Sequence, residues 1–371
     1  MLNENILDDV KQMLEIDSAN MLAATASAGA QIRRALEEND LSVIRNIAAS
    51  GKPRSVVVTG MGGSGISGQI LEALANTGSP IPVVSSRGYG LPAWVGADDL
   101  VISLSCSGGT EETIAAAQEA ARRGCRLAAI TSKDSELARF VERVKGADVV
   151  YVDARGQMPR ASMWTLLTPL LRIGNALGVV RVGDADLARA ADITDEVGAL
   201  CAVELQTAEN PAKILALQFA DSLPMIWGTG EVGPVASYRV ISQLAENAKL
   251  PAIHGEIPES QHNQVVVLDG PYAGAVDPFA NQSSERKFRL ILLRDSVEHP
   301  QMARRAEIVT EIATQRDVPV TQVDTKGTQI VHRLAYLIAL TDWASVYAGL
   351  VQNIDPSPIG PIAELKARLQ A

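Results

Sequence analysis

The sequence predicts an α/β fold of two doubly wound parallel-sheet lobes, with a helical segment before them and a helical tail after them. Three observations support this fold class. First, a length of 371 residues suggests two domains. Second, short β-branched runs alternate with helical stretches from about residue 50 onward, which is typical of βαβ crossovers and parallel sheets. Third, both halves contain a strand, a glycine turn and a helix in that order.

The elements of the first half follow from the spacing of apolar residues. Residues 1–48 show helical spacing and no strand signal, so we expect N-terminal helices there. The first lobe is expected over 49–182. Its predicted strands are Val56–Thr59, Pro82–Ser85, Leu100–Leu104, Leu127–Ile130 and Val149–Val152. Its predicted helices lie near 65–77, 110–123, 135–144 and 161–177.

The second lobe is expected over 183–350, and a tail helix over 351–371. The predicted strands of this lobe are Leu223–Trp227, Val265–Leu268, Leu290–Leu293 and Val318–Val323. Its predicted helices lie near 209–220, 233–249, 301–314 and 328–350. The segments VVVTGMGGSG and PMIWGTGEVG suggest an internal duplication, although a chance likeness of two βα turns competes with it. The proline-containing tail is typical of an arm that packs across another part of a fold.

Charge and cysteine usage exclude several classes. The chain has 33 basic and 43 acidic residues and a net charge of −10, which argues against a nucleic-acid partner. Its three cysteines lack metal-ligand spacing, so we expect neither a disulfide framework nor a structural zinc. The first residues do not resemble a signal peptide, and the apolar stretch from Leu334 to Val351 is interrupted by Asp342. We therefore expect a soluble, cytoplasmic protein without a membrane partner.

The clearest chemical signal is VISLSCSGGTEETIAAAQEA. A buried strand is followed by Ser105, Ser107 and Thr110, and then by a helix. Hydroxyl groups beside the free amides of a helix N-terminus form a neutral cradle for an anion. Thr110 alone could be an N-cap, but capping needs one hydroxyl and three are present. The segment therefore predicts a phosphate site.

A second glycine turn, GMGGSGISG at 60–68, also lies between a strand and a helix. Its glycines permit close approach of the backbone to a ligand, and Ser64 next to Gly63 adds a hydroxyl. The turn satisfies G-x-G-x-x-G, but the acid that would bind a ribose is absent from the next strand, and no P-loop lysine is present. A sugar phosphate is favoured over a dinucleotide, and an NAD-dependent enzyme remains an alternative that requires measurable NAD binding.

Together these two turns resemble the sugar isomerase (SIS) domain. Further blocks are similar to those of the bifunctional phosphoglucose/phosphomannose isomerases: MPRASMWTLL at 158–167, QLAENAKLPAIHGEIPESQHNQ at 243–264 and AELKARL at 363–369. They carry that family's arginine, its glutamate and histidine, and its tail lysine, respectively. The blocks occur in family order from about residue 50 to the end of the chain.

The resemblance implies an aldose–ketose isomerase of carbohydrate metabolism. It would convert glucose 6-phosphate, mannose 6-phosphate or both into fructose 6-phosphate through a cis-enediol, with no cofactor and no metal. In this family the residue matching Glu246 moves the proton between C2 and C1, and the one matching Arg160 stabilises the enediolate. His262 would assist ring opening from the neighbouring subunit of a homodimer, and Lys366 would meet the sugar ring.

Each of these four residues also has an ordinary explanation as a solvated, paired or structural side chain. The chain departs from the family at Gly109, where asparagine is common, and at the pair Tyr238-Arg239. These departures leave open a regulatory protein that binds a sugar phosphate with little or no turnover. The strand RLILLRDS of the second lobe ends without another S-x-S-G-x-T, so we expect one site per chain.

Overall fold

The computed structural model describes residues 2–75, 78–273 and 287–369. The chain forms two compact units. The first unit comprises 27–195 and 327–335, and the second comprises the described parts of 1–26, 196–326 and 336–371. The strands are β1 Val56–Thr59, β2 Val83–Ser86, β3 Leu100–Ser105, β4 Arg126–Thr131, β5 Asp148–Tyr151, β6 Leu223–Gly228, β7 Ile253–Glu256, β8 Phe288–Arg294 and β9 Val320–Asp324.

Helices alternate with these strands, as the apolar spacing predicts. They are α1 Val10–Ile16, α2 Met21–Ala26, α3 Ala28–Glu38, α4 Leu41–Ala49, α5 Gly62–Ala75, α6 Glu111–Arg122, α7 Glu136–Val141, α8 Met163–Ala176, α9 Asp184–Leu200, α10 Pro211–Ala220, α11 Gly233–Gln243, α12 Pro300–Thr314, α13 Ile330–Leu350 and α14 Gly360–Leu369. In the described residues, no helix is both long and apolar enough to cross a membrane.

Each unit contains a parallel sheet, so the predicted fold class is confirmed. In the described residues the first sheet has the order β2-β1-β3-β4-β5 and the second the order β7-β6-β8-β9. The second order repeats the first over four strands, which supports the internal duplication. In both sheets the second strand lies on one side of the first strand and the third strand lies on the other side. Ligands of such sheets bind at the carboxyl ends of the strands, where the strand order reverses in this way.

One predicted strand of the second sheet is wrong, and one strand was not predicted. Val265–Leu268 is not a strand but part of a 3-10 helix, Gln264–Asp269, and β7 is the strand that pairs with β6. A short apolar run does not by itself distinguish a strand from a helical turn. Val266 is 68% exposed, and Asn263 accepts a hydrogen bond from the backbone N–H of Gln264 through its side chain, which fixes the helical start. Helix α9 was not predicted.

Separate apolar cores hold the two sheets. In the first unit the core includes Val57, Val101 and Leu127 on neighbouring strands. In the second unit it includes Trp227 and Leu292 on β6 and β8. These residues are 0–3% exposed, so truncating one of the leucines to alanine should cost about 2–5 kcal/mol. Rigid cores of this kind fix the strand ends at which the candidate site lies.

Candidate active site

The loop after β3 places three predicted site residues together in the first unit. Ser105, the last residue of β3, is buried, and its Oγ lies 2.9 Å from Thr110 Oγ1. The same Oγ accepts a hydrogen bond from Gly108 N at 3.0 Å. Ser107 is exposed at the tip of the loop, with its Oγ 3.5 Å from Gly109 N. The loop therefore presents hydroxyl groups at the carboxyl edge of the sheet.

The backbone of Thr110 occupies the N-cap position of α6, but its side chain makes no capping hydrogen bond. Its hydroxyl is instead paired with Ser105. The N-cap explanation thus accounts for the backbone of Thr110 and not for its hydroxyl. The positive end of the α6 dipole lies at the same point, where it favours an anion.

Gly108 is the position in this loop that requires glycine. Its φ is +64°, in the left-handed region that side chains disfavour. A Cβ there would lie 2.1 Å from Ser135 Oγ, so the loop packs tightly against the start of α7. Ser135 is itself fixed by a 3.1 Å contact with Thr131 Oγ1, and Leu137 N donates to Gly108 O at 2.9 Å. The loop is therefore preorganised.

The second glycine turn follows the neighbouring strand β1 and lies against the end of β3. A Cβ on Gly60 would lie 3.1 Å from Leu104 O, the carbonyl just before Ser105. Helix α5 begins at Gly62, and Ser64 is buried in its first turn. A Cβ on Gly63 would lie 2.7 Å from Pro159 O, a clash with backbone that only glycine avoids.

The same contact places the backbone of Arg160 beside the second glycine turn. Its backbone N lies 3.5 Å from the same Gly63 position, in the 3-10 turn Pro159–Ala161. The arginine is 3% exposed, so it is not the solvated surface cation of the ordinary explanation. In the loop after β3, burial raises the pKa of the Cys106 thiol, and a hydrogen bond with Ser162 opposes that shift. Cys106 is therefore a neutral thiol near neutral pH.

One cation at this edge escaped the sequence analysis. Arg87 follows β2, and its Nε lies 3.1 Å from where a Cβ on Gly65 would stand. Its Nη2 donates to Gln69 Oε1 at 2.5 Å. The available signal was an arginine at the carboxyl end of a predicted strand next to the glycine turn. Its side chain lies where a dinucleotide enzyme would need an acid for the ribose.

Glu246 belongs to the second unit and lies on an unusual piece of backbone. Helix α11 continues into a π-helical turn, Leu244–Ala248, a feature that often marks functional sites. Buried Asn247 donates to Ser345 Oγ at 2.9 Å, and Lys249 ends the turn with a φ of +55°. The Nζ of Lys249 also donates to Glu246 O at 2.6 Å. The carboxylate is thus carried on a firmly held turn.

A cavity of about 570 Å³ adjoins this turn and includes Glu246 in its wall. The opposite wall comes from the start of the tail helix α14, including Ile362. Lys366 is exposed and follows Ile362 by four positions, so the two side chains share one helix face. The structure therefore groups Glu246 with the beginning of the lysine-bearing helix.

His262 does not line this cavity. It ends the exposed 3-10 turn Glu259–His262, and the strand that was expected to follow it is absent. The other histidines have structural surroundings. His254 Nδ1 lies 2.7 Å from Ser237 Oγ, and burial lowers the pKa of this histidine. His299 accepts the N–H of Gln301 at the start of α12, and His332 is buried with its Nε2 3.2 Å from Asp186 O.

The end of β8 is the counterpart of the Ser105 loop, and it carries Asp295. This side chain is 1% exposed. Its carboxylate accepts hydrogen bonds from Glu231 N at 3.3 Å and Val297 N at 3.2 Å. A Cβ on Gly230 would lie 2.5 Å from Asp295 Cβ. An acid therefore fills this second crevice. Among the residues the structure describes, no cluster of three or more His, Cys, Asp or Glu could hold a metal ion.

Comparison with known proteins agrees with this geometry. Residues 51–146 match the SIS domain, and residues 208–369 match the bacterial phospho-glucose isomerase C-terminal SIS domain. The chain is 31% identical over 342 residues to a bifunctional phosphoglucose/phosphomannose isomerase of Caldicellulosiruptor bescii, covering 91% of this chain and 96% of that protein. It is 28% identical to the Aquifex aeolicus protein of the same name, covering 85% and 91%.

Solved structures share the fold at lower identity. A hypothetical protein from Thermus thermophilus matches with a TM-score of 0.69 and 16% identity, covering 99% of this chain and 94% of the other. Tagatose-6-phosphate ketose/aldose isomerase from Escherichia coli matches with a TM-score of 0.68 and 12% identity, covering 92% and 96%. The order of the motifs, the paired sheets and the Caldicellulosiruptor relative together lead to one conclusion: this chain belongs to the bifunctional phosphoglucose/phosphomannose isomerase family.

Proposed function

We propose that this protein interconverts glucose 6-phosphate and mannose 6-phosphate with fructose 6-phosphate. The observation that carries the proposal is the preorganised loop of Ser105, Ser107 and Thr110, together with the backbone at Arg160 that packs against Gly63 of the second glycine turn. That arrangement suits a phosphate ester joined to a short carbon chain. The family membership supplies the reaction class.

The phosphate would be held by neutral donors. Ser64, Ser105, Ser107 and Thr110 offer hydroxyls, and the amides at the start of α5 and α6 add N–H groups. A hydrogen bond to a charged group contributes about 1.5–3 kcal/mol, so a few such donors suffice for binding. Neutral donors suit a chain whose net charge is −10, since no strongly positive field is required.

The chemistry is proton transfer within the sugar. Glu246 would take the proton from C2 of the open-chain aldose and return it to C1, and the hydroxyl proton of O2 would pass to O1, so that C2 is oxidised while C1 is reduced. Because the electrons stay in the substrate, the reaction is balanced without a redox cofactor. Arg160 would stabilise the charge of the enediolate oxygens. Lys366 and His262 would assist ring opening by moving the proton of the ring oxygen.

Both aldoses give the same cis-enediol because they differ only at C2. We therefore propose both activities, with the preference set by groups near C1 and C2. We also propose a homodimer in which His262 completes the site of the partner. The exposure of His262 and its absence from the wall of the Glu246 cavity support this arrangement. The three free cysteines agree with a reducing, cytoplasmic location.

The test is a coupled assay of fructose 6-phosphate formation from each hexose 6-phosphate, with EDTA present. We expect turnover of both substrates by the wild type. Glu246→Gln should abolish most of it, while Glu37→Gln, an exposed acid of α3, serves as the matched control and should keep the wild-type rate. Absence of turnover of either sugar by the folded wild type would refute the proposal.

A sugar-phosphate-binding regulator is the second candidate, and it predicts binding of fructose 6-phosphate without turnover. The departure at Gly109 is the feature that raised it. A Cβ at Gly109 would meet no atom within 4 Å, so the loop has no close packing contact at this position that glycine alone allows. The same assay, run beside a binding titration, separates the two functions.

A further inference from the structure

The first unit contains another cavity, of about 470 Å³, between α3 and the segments that follow β4 and β5. Its lining does not include the hydroxyl residues of the phosphate loop or Arg160. The size is in the range of small-molecule sites, which are about 300–1,000 Å³. None of the residues assigned above to isomerisation accounts for it.

Two cations of this cavity have unpaired side chains. Arg34 on α3 and Lys133 after β4 both line it, and neither side chain forms a salt bridge or hydrogen bond with any described residue. Two acids line it as well. Glu38 is paired with Arg155 at 2.9 Å, whereas Asp153 accepts only the backbone N–H of Arg155 at 2.7 Å and keeps its charge. Arg34 and Lys133 together outweigh that one charge, so the cavity offers positive charge to an anion.

A buried acceptor lies in the same wall. Asn39 is 7% exposed, and its Nδ2 donates to Tyr151 O at 3.3 Å. Its side-chain oxygen has no hydrogen-bond partner. A buried polar atom without a partner costs about 1–3 kcal/mol, and a donor such as a hydroxyl group removes that cost. Two free cations and one buried acceptor together favour a ligand that carries both anionic groups and a hydroxyl group.

We propose that this cavity binds a small hydroxylated dianion, with its anionic groups on Arg34 and Lys133 and its hydroxyl near Asn39. The anionic groups can come from a dicarboxylic acid or from a phosphate ester, and these two sources share the same recognition chemistry. The site is distinct from the sugar-phosphate loop, and its occupancy can be measured without any isomerase assay.

The position of Lys133 links this site to the phosphate loop. Lys133 lies between Thr131 and Ser135, whose hydroxyls are 3.1 Å apart. Ser135 is the residue against which Gly108 packs, and Leu137 N donates to Gly108 O at 2.9 Å. A ligand that draws on Lys133 therefore acts on the segment that holds the loop. We expect it to change the affinity for sugar phosphate, with a reciprocal effect of sugar phosphate on the ligand.

The experiment is isothermal titration of the full-length protein with L-malate and, separately, with glycerol 3-phosphate. We expect saturable binding of at least one probe to the wild type. Arg34→Gln and Lys133→Gln should each weaken it by about tenfold or more, as expected for the loss of a charged hydrogen bond. Arg45→Gln and Lys145→Gln, exposed cations of the same unit, are the matched controls and should bind normally.

Glycerol 3-phosphate can also enter the phosphate loop, so its titration is repeated with the double variant Ser107→Ala/Thr110→Ala. Binding retained there and lost in the Lys133→Gln variant supports the cavity. Which probe binds identifies the source of the anionic groups. No saturable heat with either probe, or equal affinities across the cavity and control variants, overturns the site. A KM for hexose 6-phosphate that malate leaves unchanged at saturation overturns the coupling.

Discussion

The protein has two similar crevices, one at the ends of β1 and β3 and one at the ends of β6 and β8, and they differ in the charge of their side chains. Each lies where the strand order reverses, and a glycine turn borders each of them. The first ends in Ser105, whose hydroxyl joins a cluster of donors. The second ends in Asp295, whose carboxylate accepts the backbone N–H groups of Glu231 and Val297. The two crevices therefore offer an anion hydroxyl groups in one case and an internal carboxylate in the other.

The difference has a simple electrostatic consequence. In the second crevice the N–H groups that could receive a phosphate are already bonded to an internal anion. A phosphate dianion there would lose those donors and meet a like charge in a buried place, which is strongly unfavourable. In the first crevice the partners are hydroxyls, which can turn their hydrogens toward an incoming anion. We therefore expect the residue at the end of the third strand, Ser105 in one sheet and Asp295 in the other, to decide which crevice binds the phosphate.

The largest expected effect is on kcat, because Glu246 is the proposed base and the phosphate loop lies elsewhere in the chain. Glu246→Gln removes the proposed base and leaves the phosphate loop unchanged. General base catalysis is worth about 10²–10⁴ in rate, so kcat should fall by that factor while KM changes little. Steady-state kinetics on glucose 6-phosphate and mannose 6-phosphate check this. A large rise in KM at unchanged kcat would instead place Glu246 among the binding residues.

The next largest effect is expected on phosphate binding by the loop of Ser105, Ser107 and Thr110. The double variant Ser107→Ala/Thr110→Ala removes two hydroxyl donors, and each charged hydrogen bond contributes about 1.5–3 kcal/mol. KM for both sugars should therefore rise by at least about tenfold. Ser296→Ala, just after Asp295 in the second crevice, is the matched control. An equal rise in KM for this control would mean that both crevices take part in binding.

Gly108 tests the fit of the phosphate loop against Ser135. Gly108→Ala combines an unfavourable φ of +64° with a clash at 2.1 Å. We expect a loss of about 1–3 kcal/mol in the free energy of unfolding and a raised KM. Gly124→Ala is the matched control, because Gly124 has a φ of +70° with no atom within 4 Å of the added Cβ.

Denaturant unfolding and steady-state kinetics separate the two glycines. Gly124→Ala should lose about 1 kcal/mol from backbone strain alone and keep its KM. Equal KM values for Gly108→Ala and the wild type would show that the contact with Ser135 does not shape the phosphate loop.

The smallest effect on activity is expected at the filled crevice. Asp295→Asn keeps the shape of the side chain but replaces a carboxylate oxygen by an NH2 group that cannot accept the N–H bonds. We expect a loss of about 1–3 kcal/mol in the free energy of unfolding, measured by denaturant titration. KM and kcat should stay near their wild-type values. A marked change in KM would contradict the assignment of substrate binding to the other crevice.

The sequence predicted the parts that depend on local pattern. The central strands β1, β3 and β4 were found because their apolar runs are buried on both sides, and the hydroxyl loop because its residues are adjacent in the chain. Strand β7 was missed because IHGE has little apolar character. The run VVVL resembles a strand because it is apolar, but it forms a 3-10 helix that buries Leu268 in the core and exposes Val266.

The site features that escaped prediction come from contacts between distant segments. The acceptor role of Asp295 depends on Glu231, 64 positions away along the chain. The proximity of Arg87 to Gly65 depends on the pairing of β1 with β2. Spacing along the sequence carries no information on such contacts. The domain boundaries and the roles of the individual catalytic residues remain predictions.

The most direct test of a single sugar-phosphate site per chain is the stoichiometry of fructose 6-phosphate binding. Isothermal titration of the Glu246→Gln/Lys133→Gln protein avoids turnover during the measurement and weakens the separate anion cavity, so that only the phosphate loop is counted. We predict one molecule bound per chain, weakened by Ser107→Ala/Thr110→Ala and unaffected by Asp295→Asn. Two molecules per chain, or binding that depends on Asp295 and not on Thr110, would contradict the assignment of the site to the crevice at β1 and β3.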